Sequence, residues 1–208
     1  MSERDVIERL CADRGLELPG SWLDYFRIAK QWGSRTDLTS ARTDGELAEI
    51  LFLDAIALVA ADWAPLGATL VDVGAGVGAP LLPMLAATPS LRGVLVEPRR
   101  IRAAFLRTAV GSLGLLERAT VLEARVDSSD PRVAGAPFDV ALSRATFAPR
   151  EWRRLGAELA TEVWVFIAGD EPEPSEELDL VRRLDYVVPS SGAPRAVLGY
   201  RRRRAGMI

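Results

Sequence analysis

The chain has 208 residues, of which 49% are apolar and 26% charged, a composition that supports a buried core and excludes disorder over most of its length. It has no histidine and a single cysteine, Cys11, which excludes imidazole bases, Ser-His-Asp and Cys-His nucleophiles, HExxH zinc chemistry, internal disulfides and thiolate clusters; no metal is expected. The net charge of −3 is uneven: residues 91–154 carry 12 arginines against 7 acids, 155–200 carry 3 against 9, and the tail holds Arg201 to Arg204, so the middle and the tail read either as a nucleic-acid footprint or as a charged, solvated surface.

Residues 1–62 read as a helical extension and 63–208 as the main domain. Trp22, Tyr25, Phe26, Ala29 and Trp32 recur at i, i+3, i+4, i+7 and make one apolar stripe, started by Pro19 and Gly20. This spacing places Trp22 and Trp32 in the core. A polar loop over 33–43 leads to a second helix over 44–61, apolar on most sides, in which Asp54 is expected to be paired. Acids at Asp54, Asp62 and Asp72 break the apolar runs, so no membrane span is expected. The opening MSERDVIERL has no apolar signal core, which predicts a cytoplasmic protein.

From Ala68 onward, apolar runs typical of strands alternate with helical stretches. They are TLVDVG (69–74), GVLVE (93–97), ATVLEA (119–124), FDVALS (138–143), EVWVFIA (162–168), LDYVVPS (184–190) and RAVLGYRR (195–202). The first five are almost continuously apolar, as in parallel strands covered on both faces. A helix is expected over 98–111, started by Pro98, with Ile101, Ala104, Phe105 and Ala109 on one face. The last two runs are too close for a crossover and must be antiparallel. The expected fold is α/β: a Rossmann-like, seven-stranded, mostly parallel sheet with a C-terminal antiparallel hairpin.

The strongest local signal is Val71-Asp72-Val73-Gly74-Ala75-Gly76-Val77-Gly78, where the first strand turns toward a helix. Glycines there let the backbone approach a ligand, and the helix that follows presents unpaired N–H groups. The next strand ends in Glu97, 19 residues beyond Gly78, where a carboxylate can accept from both hydroxyls of a ribose. This is a nucleoside-binding arrangement. Gly74-x-Gly76-x-x-Ala79 also satisfies a dinucleotide fingerprint. Asp72 near a cationic ligand end, the terminal hairpin and the lack of a second domain favour S-adenosyl-L-methionine (SAM) over NAD.

These segments resemble the RsmG (GidB) ribosomal RNA methyltransferases. The resemblance rests on VDVGAGVG (71–78), VEPRRIRAAFLR (96–107), EARVDS (123–128) and LSRATFAP (142–149), joined by Gln31-Trp32-Gly33, Asp37-Leu38-Thr39 and Leu51-Phe52-Leu53-Asp54. It runs from about Trp22 to Gly169. It implies a class I SAM-dependent methyltransferase acting on N7 of one guanine of 16S rRNA, with the small ribosomal subunit or its precursor as partner. The chain departs from the family pattern in having Leu51 for a histidine, Ala168 for a lysine, Asp37 for an asparagine and Leu81 for a glycine.

The residues expected to contact the cofactor are Asp72, Gly74, Ala75, Gly76, Gly78, Glu97, Pro98, Arg125, Val126, Asp127 and Ser143, with Val126 and Asp127 bordering the adenine. Arg144, at the carboxyl edge of the fourth strand, is expected to hold a guanine edge or a phosphate. Asp37, Thr39, Leu51 and Phe147 complete the expected acceptor site, with Leu51 and Phe147 as pocket walls. The basic stretch 99–107 and the tail arginines are the expected RNA contacts. Guanine N7 has a free lone pair, so its methylation needs no general base. Two other readings stay open: an N-methyltransferase of the same type that acts on a small heteroaromatic molecule, and a nucleotide- or rRNA-binding module without catalysis.

Overall fold

The computed structural model describes residues 2–126 and 138–203. Three helices come first: α1 (Glu3–Ala12), α2 (Gly20–Gly33) and α3 (Asp44–Ala60). They are followed by β1 (Thr69–Val73), α4 (Leu81–Ala87), β2 (Arg92–Val96), α5 (Arg100–Ser112), β3 (Ala119–Leu122), β4 (Phe138–Ser143), α6 (Pro149–Leu159), β5 (Ala160–Ile167), β6 (Leu178–Val187) and β7 (Pro194–Arg202). The strands form one sheet in the order β3-β2-β1-β4-β5-β7-β6. Strands β1 to β5 are mutually parallel, and β7 runs antiparallel to both β5 and β6. This is the expected sheet. Its switch point is β1, flanked by β2 and β4, so a crevice opens at the carboxyl end of β1.

Strand side chains alternate between two cores. Leu70, Val140, Leu142, Trp164 and Val197 face a core shared with α1 to α5. Their neighbours Val71, Ala141, Val163, Val165 and Leu198 face a second core with Trp152 and Leu159 of α6. The N-terminal helices are therefore continuous with the packing of the sheet. Trp22 stacks on Phe52 at 4.9 Å, and Tyr25 meets Phe52 edge-on at 5.8 Å. Trp22 Nε1 donates to the Pro83 carbonyl at 3.0 Å, and the Tyr25 hydroxyl donates to the Val77 carbonyl. Buried aromatic N–H and O–H groups need acceptors, and here the glycine turn and α4 supply them, which ties α2 to the ligand crevice. Trp32 is half-buried against Phe105. Among the described residues no helix is long and apolar enough to cross a membrane, and no group of three His, Cys, Asp or Glu is placed to hold a metal.

Several expectations are corrected. The helix after Glu97 begins at Arg100, not Pro98, and Ile101 is 58% exposed. Its buried face is Ala103, Phe105, Leu106, Ala109 and Val110, because the 3.6-residue period swings Ile101 away from the sheet. The helix after the glycine turn is only 7 residues long and starts beyond Gly78, at Leu81, with no side-chain cap. Strand β6 begins at Leu178, six residues earlier than the apolar run suggests. It is an edge strand, and charged side chains on such an edge mask its alternation. Three of the tail arginines also make contacts within the fold, while Arg201 and Arg203 stay more than half exposed. Arg201 pairs with Glu162 at 2.9 Å, Arg202 donates to the Ala157 carbonyl at 3.0 Å and Arg203 pairs with Asp179 at 2.8 Å; Arg204 lies outside the described residues.

Candidate active site

At the end of β1 the chain folds back over β2, and the N–H groups of Gly74 and Ala75 both donate to the Val96 carbonyl, at 2.8 and 3.1 Å. Gly74, Gly76 and Gly78 all have left-handed backbone, with φ of +75°, +56° and +84°. Their roles differ. A Cβ on Gly74 would overlap Thr146, and one on Gly78 would overlap Leu82 and Leu106, so these two glycines permit close packing. A Cβ on Gly76 would meet nothing closer than 3.8 Å, so this backbone faces open space.

Beside the turn lies a cleft of about 590 Å³, lined by Gly74, Glu97, Pro98, Arg99, Arg102, Arg125, Val126, Ala145, Thr146 and Phe147. Glu97 is 3% exposed. Its Oε2 accepts from Gly76 N at 2.9 Å and its Oε1 from Arg99 N at 2.8 Å, which positions the carboxylate between the glycine turn and the start of α5. Ser143 Oγ donates to the Val73 carbonyl at 2.7 Å and fastens the end of β4 to that of β1. Asp72 is 1% exposed, and its Oδ2 has no hydrogen-bond partner. Burial pushes its carboxyl up to about 8; the Arg144 guanidinium opposes the rise and the Glu97 charge adds to it.

A second cavity, of about 750 Å³, lies between α3, the loop ahead of it and the ends of β5, β6 and β7. Ile50, Leu53, Phe166, Ile167, Ala168 and Val188 form its apolar wall, and Arg42, Arg144 and Arg195 bring cations to it. Arg144 Nη1 donates to Asp54 Oδ2 at 2.8 Å and to the Ile50 carbonyl at 2.9 Å, while the Tyr186 hydroxyl donates to Asp54 Oδ1 at 2.7 Å. The Arg144 side chain keeps 27% of its surface exposed. Burial works against its charge, but the charge and hydrogen bond of Asp54, together with Asp72 and Tyr25, hold the guanidinium more basic than usual. Ala145 lines both cavities and has φ +56°, a conformation that costs an L-residue about 1–2 kcal/mol. The two cavities adjoin at this strained residue.

The expected site residues fall into three groups. Gly74, Glu97, Pro98, Arg125 and Val126 line the cleft, whereas Asp72, Ala75, Gly76 and Ser143 are not among its lining residues; Gly76 N donates to Glu97, Ala75 N to the Val96 carbonyl and Ser143 Oγ to the Val73 carbonyl. Gly78 packs on Leu82 and Leu106 instead. Asp127 lies outside the described residues. Arg144 lines the second cavity, bound to the helical acid Asp54, which is itself paired as expected.

Two expected pocket walls are corrected. Leu51 is 1% exposed and points into the core; the face of α3 that lines the cavity is Glu46, Glu49, Ile50, Leu53 and Asp54, one helical step round. Phe147 lines the cleft rather than the second cavity and stacks on Trp152 at 5.6 Å. Thr39 Oγ1 accepts from Ala41 N at 3.3 Å and lines neither space, while its neighbours Ser40 and Ala41 line the second cavity. Asp37 sits in a separate groove beside α5. Sequence reasoning missed Ile50, Tyr186, Val188 and Arg195, because no local pattern reports which loops meet at the sheet edge.

Residues 21–180 match the family model GidB, rRNA small subunit methyltransferase G. A protein named ribosomal RNA small subunit methyltransferase G from Desulfotalea psychrophila is 32% identical, with 92% of this chain and 95% of that protein aligned. Another of that name from Syntrophus aciditrophicus is 30% identical over 87% of this chain and 80% of that protein. A SAM-dependent methyltransferase from Geobacter sulfurreducens, solved in complex with S-adenosyl-L-homocysteine, superposes with a TM-score of 0.55 over 85% of this chain and 98% of that one; at 14% identity the likeness is one of fold.

Proposed function

The chain belongs to the GidB family, rRNA small subunit methyltransferase G, and from this premise we propose that it methylates N7 of a guanine in 16S rRNA. The chain is a SAM-dependent methyltransferase. The residues present suit SAM: Asp72 Oδ2 is a buried acid without a partner, Gly76 leaves open backbone, and each oxygen of Glu97 keeps an acceptor position for a ribose hydroxyl. When bound, SAM supplies a methyl group on a sulfonium, an electrophile that needs no activation by the protein.

The observation that carries the proposal is the pairing of the nucleoside cleft with a second cavity across Ala145, with Arg144 held at its edge. Asp54 takes one side of the guanidinium, and the exposed remainder is available to donate to a base edge such as guanine O6. Guanine N7 presents an unprotonated lone pair at neutral pH, so the task of the protein is alignment. No general base is required, which fits a chain without histidine, and the chemistry asks for no metal. We place the reaction in the cytoplasm, on the small ribosomal subunit or its precursor.

Asp54 and Tyr186 act as positioning residues in this reading. Tyr186→Phe removes the donor that fixes Asp54 Oδ1 and frees the Asp54–Arg144 pair to shift. We expect kcat to fall about tenfold, in line with about 1.4 kcal/mol for one hydrogen bond to a charged group, while SAM affinity by calorimetry stays at the parental value. An unchanged kcat would remove Tyr186 from the account.

A second reading is favoured by the apolar wall of the acceptor cavity, which suits a small heteroaromatic acceptor. Tritiated SAM supplied with bare 30S subunits and, separately, with a cell metabolite extract decides between the two. Label in 16S rRNA, released as N7-methylguanine, supports the proposal. Label confined to small molecules overturns it.

A further inference from the structure

Beside the cofactor cleft runs a groove of about 440 Å³ between the 35–38 turn and the first turn of α5. Its charged lining is Arg35, Arg99, Arg100 and Arg102 against a single acid, Asp37, and Ile101 sits among them. We propose that this groove is the RNA-docking surface of the enzyme, taking the phosphate backbone that leads to the target base; this rests on the rRNA reading above.

Four observations support it. First, four arginines gather in one groove, and among the described residues none of them forms an ion pair with a carboxylate, though Asp37 lines the same groove. Like charges gathered without counterions are costly unless a polyanion meets them. Second, the first turn of α5 has no acidic residue and no side-chain cap, so its positive dipole end adds to the field. Third, Ile101 is 58% exposed in the middle of the groove, an apolar surface for a sugar or an unstacked base. Fourth, the groove is continuous with both parts of the site. Arg99 and Arg102 also line the cofactor cleft, and the chain that starts the groove at Arg35 reaches the acceptor cavity at Ser40, Ala41 and Arg42.

This revises the expectation from sequence. Arg107 of the basic stretch pairs with Glu123 at 3.0 Å, and of the tail Arg201 pairs with Glu162 and Arg203 with Asp179. Arg35, 64 residues before Arg99, joins instead.

The test uses Arg35→Gln/Arg100→Gln in the full chain. Both residues are exposed and lie outside the cofactor cleft, so melting temperature and SAM affinity serve as controls for folding. Binding of deproteinised 16S rRNA, poly(U) and poly-glutamate is measured from 50 to 300 mM KCl. The parent is expected to bind both RNAs with a steep salt dependence. Two lost phosphate contacts should reduce the slope of log K against log salt by about 1.4 for single strands, weakening both RNAs alike. An unchanged slope in a variant that still methylates 16S rRNA overturns the groove and leaves the function standing. Failure of the parent to bind or methylate RNA overturns the function and the groove with it. Arginine-dependent binding of poly-glutamate, with RNA binding unaffected by the variant, would assign the groove to an acidic protein instead.

Discussion

Replacing Glu97 with Ala is expected to weaken SAM binding by about 2–3 kcal/mol, roughly 30- to 150-fold in Kd. Two losses combine. The carboxylate is buried at the floor of the cleft, and each of its oxygens retains an acceptor position for a ribose hydroxyl. It also binds the N–H groups of Gly76 and Arg99, so its removal leaves two donors without acceptors and loosens the turn that faces the ligand. Glu97→Gln keeps one acceptor oxygen and should fall between parent and Ala. Calorimetric titration of SAM, with a melting curve to show that the sheet persists, is the measurement. A Kd within threefold of the parent for Glu97→Ala would mean that the ribose is held elsewhere.

The strand-turn-helix-strand unit of the candidate cofactor site was legible because it is local. Asp72, the glycine turn and Glu97 lie within one strand-turn-helix-strand unit, where spacing along the chain dictates spacing in the fold. The parallel strands were legible for a related reason: burial on both faces leaves continuous apolar runs that nothing else in a short segment produces. The candidate acceptor cavity depends on long-range meetings. Arg144 is joined to Asp54 across 90 residues and Tyr186 to Asp54 across 132. Helix α3 is apolar nearly all round, so its periodicity cannot say whether Leu51 or Ile50 faces the cavity; packing of α1 and α4 against it decides. Strand β6 was half hidden for another reason. A register shift between Leu180 and Arg182 turns Arg182 inward, over the Trp63 ring at 4.3 Å and onto buried Glu162, where a sequence pattern reads a surface charge.

The second large effect is a pH dependence of cofactor binding that originates at Asp72. In the ligand-free protein its carboxyl is pushed up to about 8 by burial, with Arg144 opposing the rise and Glu97 adding to it, so at neutral pH it carries a proton. A cation placed against the unpartnered Oδ2 favours the carboxylate and lowers that value. Binding of SAM therefore releases a proton below pH 8, and affinity should rise about tenfold per pH unit between pH 6 and 7. Calorimetry at pH 7 in buffers of different ionisation enthalpy should report nearly one proton released, and adenosine, which lacks the cationic end, should release none. Asp72→Asn should abolish both the release and the pH slope. The stability of the ligand-free protein runs the opposite way with pH. A carboxyl raised above its unfolded value of 3.8 makes the folded state hold its proton longer, so the ligand-free protein loses stability as pH climbs from about 4 to about 8. A bound cation relieves that loss, so the rise in melting temperature given by saturating SAM should be larger at pH 8 than at pH 6. Net proton uptake on binding, or an Asp72→Asn variant with the parental pH slope, would show that the cationic end of the cofactor does not lie against Asp72.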